Sequence, residues 1–323
     1  NERHQVVWSE EPWNHEVRLI NKHELLKGLE AAFNQRQEVK LIFWHHFDAL
    51  GYVPRSWQNV LAEMGKQGWV VVASSSRLET GAAEQLRSFG CLISQRKNIG
   101  RCLGAYRDFC RLLEENQNLR DRIQTLVLCN DSVLPLGGFK SLNLQAEKIH
   151  KQLKSSEAKL IGLTDSVETR AYHIQSYFLS LNSALLKAST WTAFWDNVDL
   201  SGSKDEIIQK GEVGLSQWLL KHNIPLEAAY SIVSVLLDSP IIEQTLEQLN
   251  LRQPEEINTT LMCWAALLNA GCPVIKKQLL LEPPKFLNQT VPIAQLRAHL
   301  TVADEDLKKD LERLLQSRFL KPC

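Results

Sequence analysis

The segment Val39-Lys40-Leu41-Ile42-Phe43-Trp44 decides the fold, together with its two echoes, Trp69-Val70-Val71-Val72-Ala73 and Thr125-Leu126-Val127-Leu128-Cys129. Each is a short, nearly unbroken apolar run rich in β-branched or aromatic residues, and reads as a buried strand. Cys91-Leu92-Ile93 adds a shorter one. Helical patterns lie between them. From Pro54 to Lys66, Trp57, Val60, Leu61 and Met64 recur on one face; Thr80 to Phe89 is a helix stopped by Gly90; Leu103 to Leu113 is another. Upstream, a helix is expected to start at Asn21, with Glu24 three residues on as a capping box and Leu25, Leu26, Leu29 and Phe33 as its apolar stripe. Apolar strands alternating with amphipathic helices predict an α/β fold, a Rossmann-type, mainly parallel sheet with helices on both faces. Ligands in such sheets sit beyond the carboxyl ends of the strands. Four polar clusters follow the four strands: His45-His46-Phe47-Asp48, Ser74-Ser75-Ser76, Arg96-Lys97-Asn98 and Asn130-Asp131-Ser132. They should converge on one crevice.

The rest of the chain is consistent with an ordinary globular protein. Its 323 residues allow one large or two ordinary domains, and 44% hydrophobic with 23% charged residues supports a real core. Lys+Arg and Asp+Glu are both 37, so there is no positive excess with which to bind nucleic acid. The seven cysteines include no C-x-x-C pair and several lie inside apolar runs, which reads as reduced thiols of a cytosolic protein. No apolar run reaches the ~18–20 residues of a spanning helix, and no signal segment opens the chain. The chain begins at Asn1, which leaves a longer parent protein open. The first twenty residues, with Trp8 and Trp13, read as an arm. After residue 155, Lys159 to Leu163 is strand-like and helices are expected to dominate: Ser183 to Phe194, Lys204 to His222, Pro225 to Leu236 and Thr259 to Ala270. Pro283-Pro284 and Pro292 mark an extended connection. The last helix, Glu305 to Phe319, is amphipathic; packing on the domain is favoured for it over lying on an anionic membrane.

No G-x-G-x-x-G follows the first strand, and Walker A, H-E-x-x-H and G-x-S-x-G motifs are absent, which removes the usual dinucleotide, nucleotidase, zinc-protease and α/β-hydrolase readings. The ordered segments Trp44-His45-His46-Phe47-Asp48, Val71-Val72-Ala73-Ser74-Ser75-Ser76, Arg96-Lys97-Asn98-Ile99-Gly100 with Gly104-Ala105-Tyr106, and Cys129-Asn130-Asp131-Ser132 are instead similar to the rhamnan synthesis protein F family. His173-Ile174-Gln175-Ser176-Tyr177-Phe178, Gly211-Glu212-Val213-Gly214-Leu215-Ser216 and Gly271-Cys272-Pro273-Val274-Ile275-Lys276 continue the resemblance in the same order. It implies a GT-A-like glycosyltransferase building bacterial cell-surface polysaccharide, of O-antigen, capsule or rhamnan type, at the cytoplasmic face of the plasma membrane. The implied partners are a UDP-, dTDP- or GDP-linked sugar donor, a lipid-linked or oligosaccharide acceptor, and other domains of a larger synthase. On this reading residues 1–38 are an arm and helix, 39–155 the nucleotide-sugar half, 156–282 a helix-rich acceptor-side half and 283–323 an extension.

Residue chemistry can be matched to that activity. His46, Asp48, Ser74 and Ser75 offer hydrogen-bonding edges for base and ribose; Arg96 is suited to a phosphate, with Asn98 beside it and Gly100 and Gly104 allowing close backbone approach. Asn130, Asp131 and Ser132 occupy the place of the Asp-x-Asp motif of metal-dependent relatives, so Asp131 is the candidate ligand for Mg2+ or Mn2+; with one carboxylate, metal-independent catalysis is equally open. An Asx turn is the structural alternative there. His173 and Gln175 are candidates for orienting acceptor or phosphate, and Lys276 with Lys277 for reaching the diphosphate. Tyr172, Tyr177, Trp191 and Trp195 are candidates for sugar stacking or core. Glu212, just before an apolar helix face, resembles the carboxylate at a helix start that serves related inverting transferases as general base. The family pattern carries an aspartate where this chain has Cys102. A second reading therefore stays open, a non-catalytic module of the same fold that binds glycan or a partner.

Overall fold

The computed structural model describes residues 18–137, 141–237, 257–282 and 305–319. The expected arm before residue 18 and the proline-marked connection lie outside the described residues. Ten strands are present among those described: β1 (Val39–His46), β2 (Val70–Ser75), β3 (Leu92–Gln95), β4 (Ile123–Asn130), β5 (Val133–Pro135), β6 (Leu160–Ser166), β7 (His173–Ile174), β8 (Phe178–Asn182), β9 (Leu226–Tyr230) and β10 (Val274–Lys276). Eight form one sheet in the order β3-β2-β1-β4-β8-β6, with β7 and β9 also pairing with β6. β1 is parallel to β2 and β4, β2 to β3, and β6 to β9; β8 runs antiparallel to both its neighbours. β5 and β10 make a separate antiparallel ribbon.

The apolar runs form central strands because both faces are covered. Ile42, Trp44, Val71, Ala73 and Val127 pack on one side with Trp57 and Met64 of the Arg55–Lys66 helix. Leu41, Phe43, Val70, Val72 and Leu126 pack on the other with Phe33 of the Lys22–Asn34 helix and Phe109 of the Arg101–Glu115 helix. Successive strand side chains point to opposite faces, which is why one unbroken run feeds two cores. The final helix, Glu305–Phe319, joins the first of them through Leu307, Leu311 and Leu314. Its Asp310 takes hydrogen bonds from the backbone N–H of Arg55 (2.6 Å) and Ser56 (3.0 Å), from Ser56 Oγ and from Tyr52 Oη. It thereby caps a helix whose own N-cap, Pro54, has no side-chain donor or acceptor to offer. No helix among the described residues is long and apolar enough to cross a membrane.

Four expectations are corrected. Asn21 makes no capping box; its amide is drawn to β3, donating to Ile93 O and accepting from Gln95 N. Residues 226–230 form β9, not the start of a helix, because pairing with β6 outweighs the helical preference of Leu-Glu-Ala-Ala. The helices expected over 183–194 and 259–270 are each broken, at Lys187–Ala188 and at Cys263. The strand expected over 159–163 is β6, and the second half also supplies β7 and β8, strands of two and five residues whose periodicity is too brief to stand out.

Candidate functional site

The carboxyl ends of β1 to β4 lie along one edge, with His45 level with Ser74 and with Asn130, and Ser74 level with Ser94. At the β1–β3 end most polar groups are engaged by the protein itself. His46 is fully buried; its Nε2 donates to Tyr52 O (2.7 Å) while Nδ1 meets Ser75 Oγ (3.1 Å), and burial pushes its pKa down. Ser75 Oγ also closes a turn on Arg77. Ser74 Oγ contacts His45 Nδ1 (3.3 Å), and Asp48 Oδ1 accepts from the N–H of Leu50 and Tyr52. Arg96 does not face a phosphate. Its guanidinium is sealed inside, on Asp108 (2.9 Å) and Ile99 O (2.8 Å), and Arg107 and Arg18 converge on the same aspartate. Gly104 is needed for that packing: a Cβ there would meet Ile99 O at 2.2 Å. Gly100 begins the Arg101–Glu115 helix with a left-handed φ of 69°. Asn98 Oδ1 is buried without a partner, as are His45 Nε2, Ser94 Oγ and Arg96 Nε.

A different set converges further along the edge. Asn130 Oδ1 accepts from Ser132 N in an Asx turn, and its Nδ2 donates to Tyr106 Oη, which donates to Ser176 O. Ser176 in turn donates through both N–H (2.6 Å) and Oγ–H to Glu212 Oε2. Glu212 Oε1 is left facing His173 Nε2 at 3.7 Å, with 16% of the carboxylate side chain exposed. His173 Nδ1 donates to Ala171 O (2.8 Å), which fixes Nε2 as the nitrogen turned to Glu212. Gln175 turns the other way, to Thr164 and Thr260, and so braces the fold instead of facing the crevice. The sequence placed Glu212 at a helix start. It sits instead within a π-helical turn, Ile208–Val213, between the Lys204–Ile207 and Gly214–Lys221 segments of one continuous helix. Such turns recur at functional sites because the extra residue redirects a side chain. Gly211 beside it allows close packing, since a Cβ would lie 2.6 Å from Leu103.

The β5–β10 ribbon brings two lysines to the same place. Lys277 N donates to Ser132 O, and Lys277 Nζ pairs with Asp131 Oδ2 at 2.8 Å. Lys276 Nζ lies 3.4 Å from Ser132 Oγ and 5.5 Å from the centre of the Tyr177 ring. Burial pushes the Lys276 pKa down, against the pull of the Glu212 charge. Neither is the solvated lysine that an isolated Lys-Lys pair usually is. Cys102 stands within the fields of Glu212, Lys276 and Asp131; burial first, then the Glu212 charge, push its thiol up to about 11, so it stays neutral. Trp191 and Trp195 stack edge to face inside the core, away from any sugar.

Asp131 does not suit Mg2+ or Mn2+. Its Oδ1 accepts from Phe47 N (3.3 Å), its Oδ2 holds Lys277, and no group of three His, Cys, Asp or Glu among the described residues could hold a metal ion.

The fold and this edge define an α/β protein that presents a carboxylate, an imidazole and two ammonium groups at the carboxyl end of a mainly parallel sheet. The chain belongs to the rhamnan synthesis protein F family, whose model matches residues 70–297. It is 24% identical over 151 residues to the uncharacterized protein y4gN of Sinorhizobium fredii, covering 46% of this chain and 37% of that protein, so it spans little more than a third of that relative's length. A mannosyltransferase from Pyrobaculum calidifontis, solved in complex with GDP-Man and Mn2+, aligns with a TM-score of 0.31 at 9% identity, over 91% of this chain and 93% of that one.

Proposed function

We propose that the chain is an inverting glycosyltransferase that moves a sugar from a nucleoside-diphosphate donor to a growing cell-surface polysaccharide, with Glu212 as general base. The observation that carries this is the state of the Glu212 carboxylate. Oε2 is saturated by two donors of Ser176, while Oε1 is open to the crevice and backed by His173. Family membership supports the transfer chemistry. In the reaction the acceptor hydroxyl gives its proton to Oε1 as its oxygen bonds the anomeric carbon from the face opposite the leaving group. The bond from that carbon to the donor phosphate breaks, and its electron pair leaves with the diphosphate. His173, whose Nδ1–H is held by Ala171 O, presents Nε2 to accept a hydrogen bond from the protonated Oε1 after transfer. On this reading the Lys276 ammonium would meet the departing diphosphate.

The test is product analysis with UDP-, dTDP- and GDP-linked sugars and a lipid-linked or oligosaccharide acceptor. One donor should extend the acceptor with inverted anomeric configuration. Retention of configuration would remove Glu212 from the role of base, and nucleotide binding without turnover by any donor would favour a second reading, a non-catalytic binding module. The neutral Cys102 thiol, within the fields of Glu212, Lys276 and Asp131 at a position where the family pattern has a carboxylate, is the observation on that side.

A further inference from the structure

We propose that the Lys277–Asp131 ion pair stands where a divalent cation would otherwise be needed, and that Lys276 supplies the positive charge for the diphosphate, so that this chain works without a metal. The inference rests on the glycosyl-transfer reading above and names the charge that meets its leaving group.

Three observations carry it. The carboxylate in the Asp-x-Asp place is already neutralised: the Lys277 ammonium is 2.8 Å from Oδ2, and the two side chains are only 15% and 10% exposed. A cation binding there would have to displace a buried ammonium and then sit beside it, and like charges at such distances repel strongly where water is scarce. The second observation is how firmly the lysines are placed. Antiparallel pairing sets Lys276 level with Val133 and Val274 level with Pro135, Leu136 N donates to Pro273 O, and Lys277 N donates to Ser132 O. Trp57 Nε1 anchors the ribbon by donating to Val133 O at 2.8 Å. Charges held this way need no reorganisation when a leaving group develops its own. The third is the orientation of Lys276. Its ammonium is kept between Ser132 Oγ and the face of Tyr177, with no carboxylate among the described residues in ion-pair contact, so it can take up an anion without first losing a carboxylate partner. Lys277 secures the loop; Lys276 receives the phosphate.

The deciding experiment needs no variant. UDP, GDP and dTDP are titrated calorimetrically into the full chain in EDTA, and again with Mn2+ or Mg2+. The inference expects one of them to bind with the same affinity in all three media. Lys276→Met should then weaken that binding about 10-fold or more, the usual cost of losing a charge-assisted hydrogen bond. Lys277→Met frees the Asp131 carboxylate, and binding in that variant should become tighter with Mn2+; adding Asp131→Asn should abolish the response. Binding by the unaltered chain that requires Mn2+ or Mg2+ overturns the inference and leaves the transferase reading intact, as does full affinity in Lys276→Met. Failure of all three diphosphates to bind in any medium sinks the transferase reading and this inference with it.

Discussion

Two stretches of the same sheet edge carry similar side chains and use them in opposite ways. Beyond β1 to β3, histidines, serines and an arginine are matched to one another or to nearby backbone, and the few atoms left over are buried. Between β4 and β10, Asp131, Glu212, His173, Lys276 and Lys277 come from four separate parts of the chain; Asp131 and Lys277 pair with each other, while Glu212 Oε1, His173 Nε2 and the Lys276 ammonium remain available. A polar residue at a strand end is thus no evidence of a site by itself. What separates the two stretches is whether the fold has already consumed the group's donors and acceptors.

That contrast can be broken at several points, beginning with the largest effect. Asp108 holds three buried guanidinium groups, so Asp108→Ala should cost about 3–5 kcal/mol by leaving charge unpaired inside. The readout is a large fall in denaturation midpoint; a near-normal midpoint would mean the arginines were never dependent on it. Glu212→Gln should leave folding and nucleotide binding intact while lowering kcat by roughly 100-fold or more, about 2.7 kcal/mol of barrier. Near-normal turnover at saturating donor and acceptor would show that Glu212 is not the base.

Asp310→Ala removes the cap of the Arg55–Lys66 helix and should lower stability by about 1–2 kcal/mol with little change in kcat, seen as a shift in thermal midpoint. Acid should act next. Burial lowers the pKa of both His45 and His46 below 6.5, so the unfolded chain takes protons that the folded chain resists. The stability they give is complete above pH 6.5 and is lost as pH falls through their folded values. Melting temperatures measured from pH 7.5 down should decline accordingly, and His46→Gln should flatten the decline; an unchanged slope would place the acid sensitivity elsewhere. Smallest of all, Ser74→Ala should cost about 1 kcal/mol or less and leave kcat unaltered, since its hydroxyl serves His45. A clear loss of nucleotide affinity in that variant would show the β1–β3 stretch to be part of the site after all.

The sheet was largely legible because each central strand is one apolar run between helical patterns, a signal that local sequence carries alone. β9 was not, since Leu-Glu-Ala-Ala favours a helix and only its parallel partner β6 makes it a strand. Glu212 stood out as an isolated carboxylate in a family-like segment, but its π turn did not, because that turn depends on how Ile207, Val213 and Leu215 are drawn into the core. Arg96 looked like a phosphate ligand because nothing near it in sequence reveals Asp108 twelve residues on as its partner. The burial of the lysine pair is hidden from local sequence for the same reason: it comes from the pairing of β10 with β5, some 140 residues apart.

The π turn also has a genetic meaning. An α-helix rotates about 100° per residue, and the one surplus residue in 208–213 lets Ile207 before it and Leu215 and Leu219 after it all face the core while Glu212 faces the crevice. Loss of a single codon there would restore an ordinary helix whose apolar residues still share one face, because the π turn spends one residue more on the same rotation, but the turn that carries Glu212 would be gone. Every residue of the cluster could still be encoded and the core kept, yet the carboxylate would lose the turn that aims it at the crevice. Inheritance of this site therefore depends on the length of a helix as much as on the identity of any residue in it.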